Sequence, residues 1–310
     1  MIYDIRHVTT YSYAAPVSAT RCALRLSPRC DGGQRVLRSA IELTPEPTRR
    51  RERLDFFGNR LVEARIDTAH TRLRITLEAR VAVRRRPAPA AALTPAWETV
   101  RANAAASKSL DAESPAHFLF AGRLTPLLEP IAAYARESFP EGRPVLEAAL
   151  DLMRRVHADF AYDPKATQIT TPLAEVFARR GGVCQDFAHI MIAALRGLGL
   201  PTNYVSGYLR TLPAPGQKRL EGADASHAWI SLWCGPAFGW LQLDPTNDLF
   251  VCDDHIVLAI GRDYADVSPI DGIILVSGPQ KLSVSVDVKA VEGRNDEARP
   301  ERGRLDAAGI

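Results

Sequence analysis

Long apolar runs are missing from this 310-residue chain. None approaches the roughly 18 apolar residues that a membrane-spanning helix needs. Met1-Ile2-Tyr3-Asp4-Ile5-Arg6-His7 carries charges where a signal peptide needs an apolar core. An excess of charge is missing as well: 39 basic and 36 acidic side chains leave +3, too little to argue for a nucleic-acid or membrane surface. The runs Arg49-Arg50-Arg51 and Arg84-Arg85-Arg86 read as solvated loops. Cysteine is scarce, odd in number and scattered, at Cys22, Cys30, Cys184, Cys234 and Cys252. That argues against a disulfide framework and fits reduced thiols, so the expected location is the cytoplasm. No internal repeat, Gly-rich phosphate loop or dinucleotide fingerprint occurs, and no cofactor is expected.

What is present reads as two textures. Residues 1–86 are β-rich: Tyr3, Ile5, His7, Thr9, Tyr11 and Tyr13 alternate with a more polar set, and Leu73 to Val83 alternates cleanly. Asp55 to Val62 predicts a hairpin turning at Gly58-Asn59. Together these give an antiparallel β-sandwich or barrel domain, in which His7 and His70 are structural. Residues 87–109, with Pro87, Pro89 and several alanines, have linker composition. A core is expected over 110–290. Leu146, Leu150, Met153 and Val156 keep helical spacing after Pro144, and Thr171-Pro172 predicts the start of a helix over Leu173 to Arg180. His255 to Tyr264 and Leu282 to Val288 read as strands completing the core's sheet. Residues 291–310 have almost nothing to bury and are expected to be disordered.

Chemistry concentrates where Gly181-Gly182-Val183-Cys184-Gln185-Asp186-Phe187-Ala188-His189 begins a helix. Phe187, Ile190, Met191, Ala194, Leu195 and Leu198 mark one helical face, and Gly197, Gly199 and Pro201 stop it. Cys184 therefore sits in the first turn, where unpaired N–H groups and the helix dipole favour a thiolate. Asp224 to Trp233 predicts a strand with Ala228, Ile230 and Leu232 on one face and His227, Trp229, Ser231 and Trp233 on the other. Gly239 to Thr246 predicts a second strand, ended by Asp244-Pro245. Helix-start Cys184, strand His227 and strand-end Asp244 are a workable order for a nucleophile, its base and the acid that orients the base.

These motifs resemble the bacterial branch of the transglutaminase-like superfamily. The resemblance rests on Gly-Gly-Val-Cys-Gln-Asp-Phe-Ala-His, on Leu195 to Pro201 and Tyr204 to Tyr208, and on Ser226-His227-Ala228-Trp229 and Leu243-Asp244-Pro245-Thr246-Asn247. The Thr-Tyr-Ser-Tyr opening and the Phe-Gly-Asn turn resemble the β-domain that precedes this core. The resemblance implies an α+β, papain-like core with a catalytic triad of Cys184, His227 and Asp244. It implies a cysteine-dependent hydrolase that cleaves a peptide or protein amide through a thioester. The alternatives are a protein-glutamine transglutaminase and a non-catalytic peptide-binding scaffold.

The remaining constellations point elsewhere. Cys234, Cys252, Asp253, Asp254 and His255 lack the paired spacing of a zinc site, so no metal is expected. Asp186 and His189 are read as holding the catalytic helix against neighbouring loops. Trp229 is the aromatic chosen to shield the thiolate–imidazolium pair, and Gln185 is positional. The Cys184 backbone N–H is the natural first oxyanion donor, with Tyr162 and Gln168 as upstream candidates for the second. Asp159 to Pro164 and Thr211 to Asp224 are expected to flank the cleft.

Overall fold

The computed structural model describes residues 1–211, 226–274 and 278–291. Most of the expected cleft segment Thr211 to Asp224, and the tail from Glu292, lie outside the described residues. Six strands come first: β1 (Ile2–Val17), β2 (Thr20–Leu24), β3 (Gln34–Thr44), β4 (Arg49–Leu54), β5 (Arg60–Ile66) and β6 (His70–Val83). They divide between two four-stranded sheets with a shared core, the arrangement of a sandwich. Strict alternation does this: on β6 the residues Leu73, Ile75, Leu77, Ala79, Val81 and Val83 are all buried, with Arg74, Thr76, Glu78, Arg80 and Ala82 between them. The Arg49–Arg51 run is part of β4, whose residues are all exposed, rather than a loop.

Helices follow: α1 (Trp97–Ala105), α2 (Glu129–Arg136) and α3 (Val145–Asp159). The first lies within the expected linker. Its Val100 and Ala104 are fully buried, the former in the helical core, because alanines that suit a linker are also strong helix formers. The chain continues through β7 (Ala161–Tyr162), α4 (Leu173–Arg179), β8 (Gly181–Gly182) and α5 (Cys184–Gly197). The expected cap Thr171 instead accepts the Gln168 N–H through Oγ1, and Pro172 precedes the helix.

The core's sheet holds β9 (Thr202–Leu209), β10 (Ser226–Trp233), β11 (Trp240–Asp244), β12 (Leu249–Phe250) and β13 (His255–Gly261), in the order β12-β11-β10-β9-β13. Against it lies α5, buried from Asp186 to Arg196. Ala228, Ile230 and Leu232 join the helical core, whereas Trp229 packs with Val205, Val251 and Val257. Both faces of β10 are therefore covered.

After the short α6 (Tyr264–Val267), β14 (Ile270–Ile274) pairs with β2, and β15 (Gln280–Ala290) pairs with β1 in antiparallel register. The Leu282 to Val288 segment thus completes an N-terminal sheet and not the core's sheet. Its alternation announces a strand but carries no information about the partner, and Val286 and Val288 find theirs in the sandwich core.

Two side-chain amides tie the halves together. Gln34 accepts the Val257 N–H at 2.9 Å and donates to the Val257 carbonyl at 2.9 Å. Asn59, from the β4–β5 turn, does the same to Ile260 at 2.8 and 2.8 Å. They cover the free edge of β13, and a bulge between Val257 and Ala259 accompanies Leu258 into the sandwich core.

Gly207 of β9 shows how tightly this layer is filled. A Cβ there would overlap the Ile256 carbonyl and the Trp229 ring, so only glycine lets the indole lie across the strand. Gly207→Ala is expected to lower stability by about 1–3 kcal/mol, the usual effect of overpacking. Urea unfolding of the two proteins tests this, and a change within error would mean that the ring has room to move.

Candidate active site

Cys184 opens α5 because the preceding residues cannot continue a helix. Arg180 ends α4 in the left-handed conformation, φ 55°, with its guanidinium against the rings of Phe177, Phe160 and Tyr134. Gly181 and Gly182 then run parallel to Ala161 and Tyr162. Asp186 turns its carboxylate back over this entry: Oδ2 accepts the Val183 N–H at 2.9 Å and the Thr167 hydroxyl at 2.6 Å. It fills the space that a Cβ on Gly182 would need. An acid in the first turn also complements the helix dipole. The N–H groups of Cys184 and Gln185 find no acceptor among the described residues.

The far end of α5 is held as firmly. Arg196 is buried and donates to the carbonyls of Thr202, Phe120 and Arg262 and to the Thr125 hydroxyl. Burial pulls its pKa down to about 10, so it stays charged. His189, equally buried, accepts the Tyr264 N–H, and burial lowers its pKa to about 3, leaving a neutral ring. Asp186 and His189 thus hold the helix in place, as the sequence suggested.

His227 lies at the start of β10 and Asp244 at the end of β11. The ring donates from Nε2 to Asp244 Oδ2 at 2.8 Å, with the carboxylate wholly buried and the imidazole 9% exposed. Burial alone would lower the pKa of His227. The charge and hydrogen bond of Asp244, reinforced by Cys184, overcome it and raise the value to about 10. Since Asp244 engages Nε2, Nδ1 is the nitrogen left for Cys184. The half-buried Cys184 thiol lies within electrostatic reach of the ring, and His227 and Asp244 are hydrogen-bonded to each other.

Asp244 has more partners than the sequence reading supplied. Its Oδ1 accepts the N–H groups of Thr246 at 3.0 Å and Asn247 at 3.3 Å. Its Oδ2 also accepts from the Asn247 side chain at 2.7 Å and from His255 Nε2 at 3.2 Å. Burial pushes the carboxyl upward in pKa, but His227 and then His255 hold it well below the usual carboxylate range. Asn247 lies in the quoted Asp-Pro-Thr-Asn segment, where an acid followed by a turn signals bonding to the N–H groups ahead. His255 belongs to the Cys234–His255 constellation, which lacks zinc spacing. His227, Asp244 and His255 offer ligand-type atoms within 4.8 Å of one another. Both rings, however, approach the same carboxylate oxygen at hydrogen-bond distance, which accounts for the grouping.

Trp229 stands between the two histidines, 5.8 Å from the His227 ring and 5.2 Å from His255. It is fully buried and donates from its indole to the Gln242 side chain at 2.9 Å. Trp240 packs elsewhere, on Phe118. Of the upstream donors, Tyr162 is within electrostatic reach of Cys184: burial, then the charge of Cys184, raises its pKa. Gln168 is exposed and has no such link to Cys184.

Comparisons with known proteins agree with this layout. Residues 3–82 match the family model of the bacterial transglutaminase-like N-terminal region, and residues 132–245 that of the transglutaminase-like superfamily. An uncharacterized protein of Mycobacterium tuberculosis is 38% identical over 303 residues, covering 94% of this chain and 93% of its own. One from Mycobacterium leprae is 31% identical over 283 residues, covering 91% and 96%. A protein-glutamine gamma-glutamyltransferase of Pseudomonas aeruginosa is 39% identical over 105 residues, 33% of this chain and 15% of that protein. A solved structure of a candidate cysteine protease from Cytophaga hutchinsonii superposes with a TM-score of 0.72 at 20% identity, covering 94% of this chain and 92% of the other; it shows the fold.

Two outcomes follow from the geometry. Iodoacetamide near pH 6 is expected to modify Cys184 ahead of the other four cysteines, and more slowly once His227→Ala removes its partner. Cys22 and Cys234 are buried, and burial pushes their thiols up to about 11 and 12. Peptide mapping that finds uniform labelling would remove Cys184 from the role. Asp244→Asn is expected to fold yet lose about two to four orders of magnitude in turnover, because an amide presents the wrong partner to the imidazole. Asp248, at φ 50°, sits in a conformation that Asn also tolerates, so Asp248→Asn should be mild. Equal losses in steady-state assays would misplace the orienting acid.

Proposed function

This chain belongs to the transglutaminase-like superfamily, and we propose that it is a cysteine-dependent hydrolase of amide or peptide bonds. The observation that carries the reading is the line of Cys184, His227 and Asp244, with the thiol at a helix start and the imidazole bound to a buried carboxylate. His227 takes the Cys184 proton on Nδ1, and the sulfur attacks the substrate carbonyl. The carbonyl electrons move onto oxygen, for which the Cys184 N–H, without an acceptor among the described residues, serves as one donor and Tyr162 as a second. The C–N bond breaks as His227 returns its proton to the leaving amine, giving a thioester. Water, deprotonated by the same ring, then releases the acid and restores the thiol. Asp244 keeps the imidazole in the required tautomer and balances its charge throughout.

The substrate in this reading is a peptide or protein amide. Among the described residues, no helix is long and apolar enough to cross a membrane. Five free cysteines support placing the activity in a reducing cytoplasm.

Acyl transfer to an amine is the second reading, favoured by the local likeness to the Pseudomonas enzyme. Both routes share the Cys184 thioester and differ in the nucleophile that resolves it. Water needs no binding pocket, whereas a lysine amine must be bound, desolvated and deprotonated. With a glutamine- or acyl-peptide substrate, acid product is therefore expected to predominate as millimolar primary amine is added. Mass spectrometry of the acid and amide products measures the partition. Amide product that dominates at low amine and saturates would replace hydrolysis with transfer.

A further inference from the structure

Asp244 carries two imidazoles, and only one is used by the proposed reaction. His255, fully buried at the start of β13, reaches Asp244 Oδ2 with Nε2 at 3.2 Å. Its Nδ1 accepts the Cys252 N–H at 3.4 Å, so the ring proton belongs on Nε2 and is donated to the carboxylate. The Cys252 Sγ lies 3.7 Å from the same Nδ1, and Cys252 is exposed. The order thiol, imidazole, Asp244 therefore occurs twice around one carboxylate, once from Cys184 through His227 and once from Cys252 through His255. The two rings are 6.2 Å apart, with the Trp229 indole packed against both.

The N–H groups of Thr246 and Asn247, from the turn after β11, hold Asp244 Oδ1, while Oδ2, the oxygen that faces His227, is shared by the Asn247 side chain, His227 and His255. His255 thus approaches the working oxygen from a strand on the far side of β9. The turn carrying His255 is itself fixed, since Asp253 accepts the Arg85 N–H at 2.7 Å and Asp254 accepts the Tyr3 hydroxyl at 2.9 Å. We propose that His255 is a positioning residue, a second imidazole that orients Asp244 for His227, and that Cys252 is a modification site for soft electrophiles through which that orientation is altered. The inference rests on the catalytic reading of Cys184, His227 and Asp244. Modification joins Cys252 sulfur to the electrophilic carbon while the halide leaves that carbon and the thiol proton goes to solvent. The adduct can no longer donate S–H to Nδ1, and it adds bulk beside the ring.

The test uses iodoacetamide on full-length Cys184→Ala protein, followed by peptide mapping and by nitrogen-15 NMR of the histidine rings. Cys252 is expected to react about tenfold faster than Cys30, which is also exposed but has no imidazole partner at its sulfur among the described residues. Its alkylation is expected to shift the His227 resonances and leave those of His70, in β6, in place. Equal rates at Cys252 and Cys30, or an unmoved His227, would overturn the modification site. The positioning role is read from the pH profile of Cys184 labelling in the otherwise native chain. His255→Phe should move that profile and slow labelling about tenfold, whereas His255→Gln, which can still donate to Asp244, should recover most of it. Identical profiles in the two variants would reduce His255 to packing. If Cys184 of the unmutated chain labels no faster than Cys30, the catalytic reading itself fails, whereas the NMR response in Cys184→Ala does not depend on that outcome.

Discussion

A carboxylate removed from water must be matched donor for donor, and Asp244 is the place where this chain meets that demand. An unpaired charge at such depth carries a penalty of several kcal/mol, and the five donors that offset it bring three pieces of backbone to one point. The turn after β11 must curl so that the N–H groups of Thr246 and Asn247 point inward. The second residue of β10 and the first of β13 must arrive together although β9 lies between them. Gly207 on that intervening strand makes the convergence possible, because the space above it is taken by the Trp229 ring. The candidate site is thus a consequence of how one buried charge is satisfied.

The helix that Cys184 opens, α5, shows the complementary requirement. A helix buried on nearly every side has few polar groups, and each must find a fixed partner. In α5 these are Asp186 at the first turn, His189 one turn later and Arg196 near the end, bonded to the Thr167 hydroxyl, the Tyr264 N–H and the Phe120 carbonyl, three well-separated parts of the chain. The helix is therefore held against sliding and rotation, so Cys184 is presented at a defined height beside His227. Rigid support of this kind suits a group that must reach a carbonyl carbon within a few tenths of an ångström.

Local pattern carried a large share of this arrangement. Helical spacing after Cys184, alternation in β1 and β6, and the Asp-Pro stop after β11 each express a rule that acts over a few residues. Features that depend on a distant partner were not legible. The alternation of β15 is the same whether it joins the sandwich or the core's sheet, and its actual neighbour is β1. The alanines of α1 suit a linker as well as a helix, and only the burial of Val100 and Ala104 distinguishes them. His255 was visible as a strand residue among acids and a cysteine. Its bond to Asp244 arises because the sheet order places β13 beyond β9, which no sequence spacing announces. Asn247 is the intermediate case, with its backbone contact implied by turn chemistry and its side-chain bond to Oδ2 not implied.

The amides of Gln34 and Asn59 bear on how this architecture can be rearranged. Each offers one donor and one acceptor to a β13 peptide group, so together they imitate two residues of a missing sixth strand. The sandwich thereby acts as a permanent neighbour to the core's sheet. Removing it would bare the Val257 and Ile260 backbone groups along an open edge, and such an edge recruits strands from other chains. The core is accordingly poorly suited to circulate as a free module: recombined without the sandwich, it would exchange an internal cap for self-association.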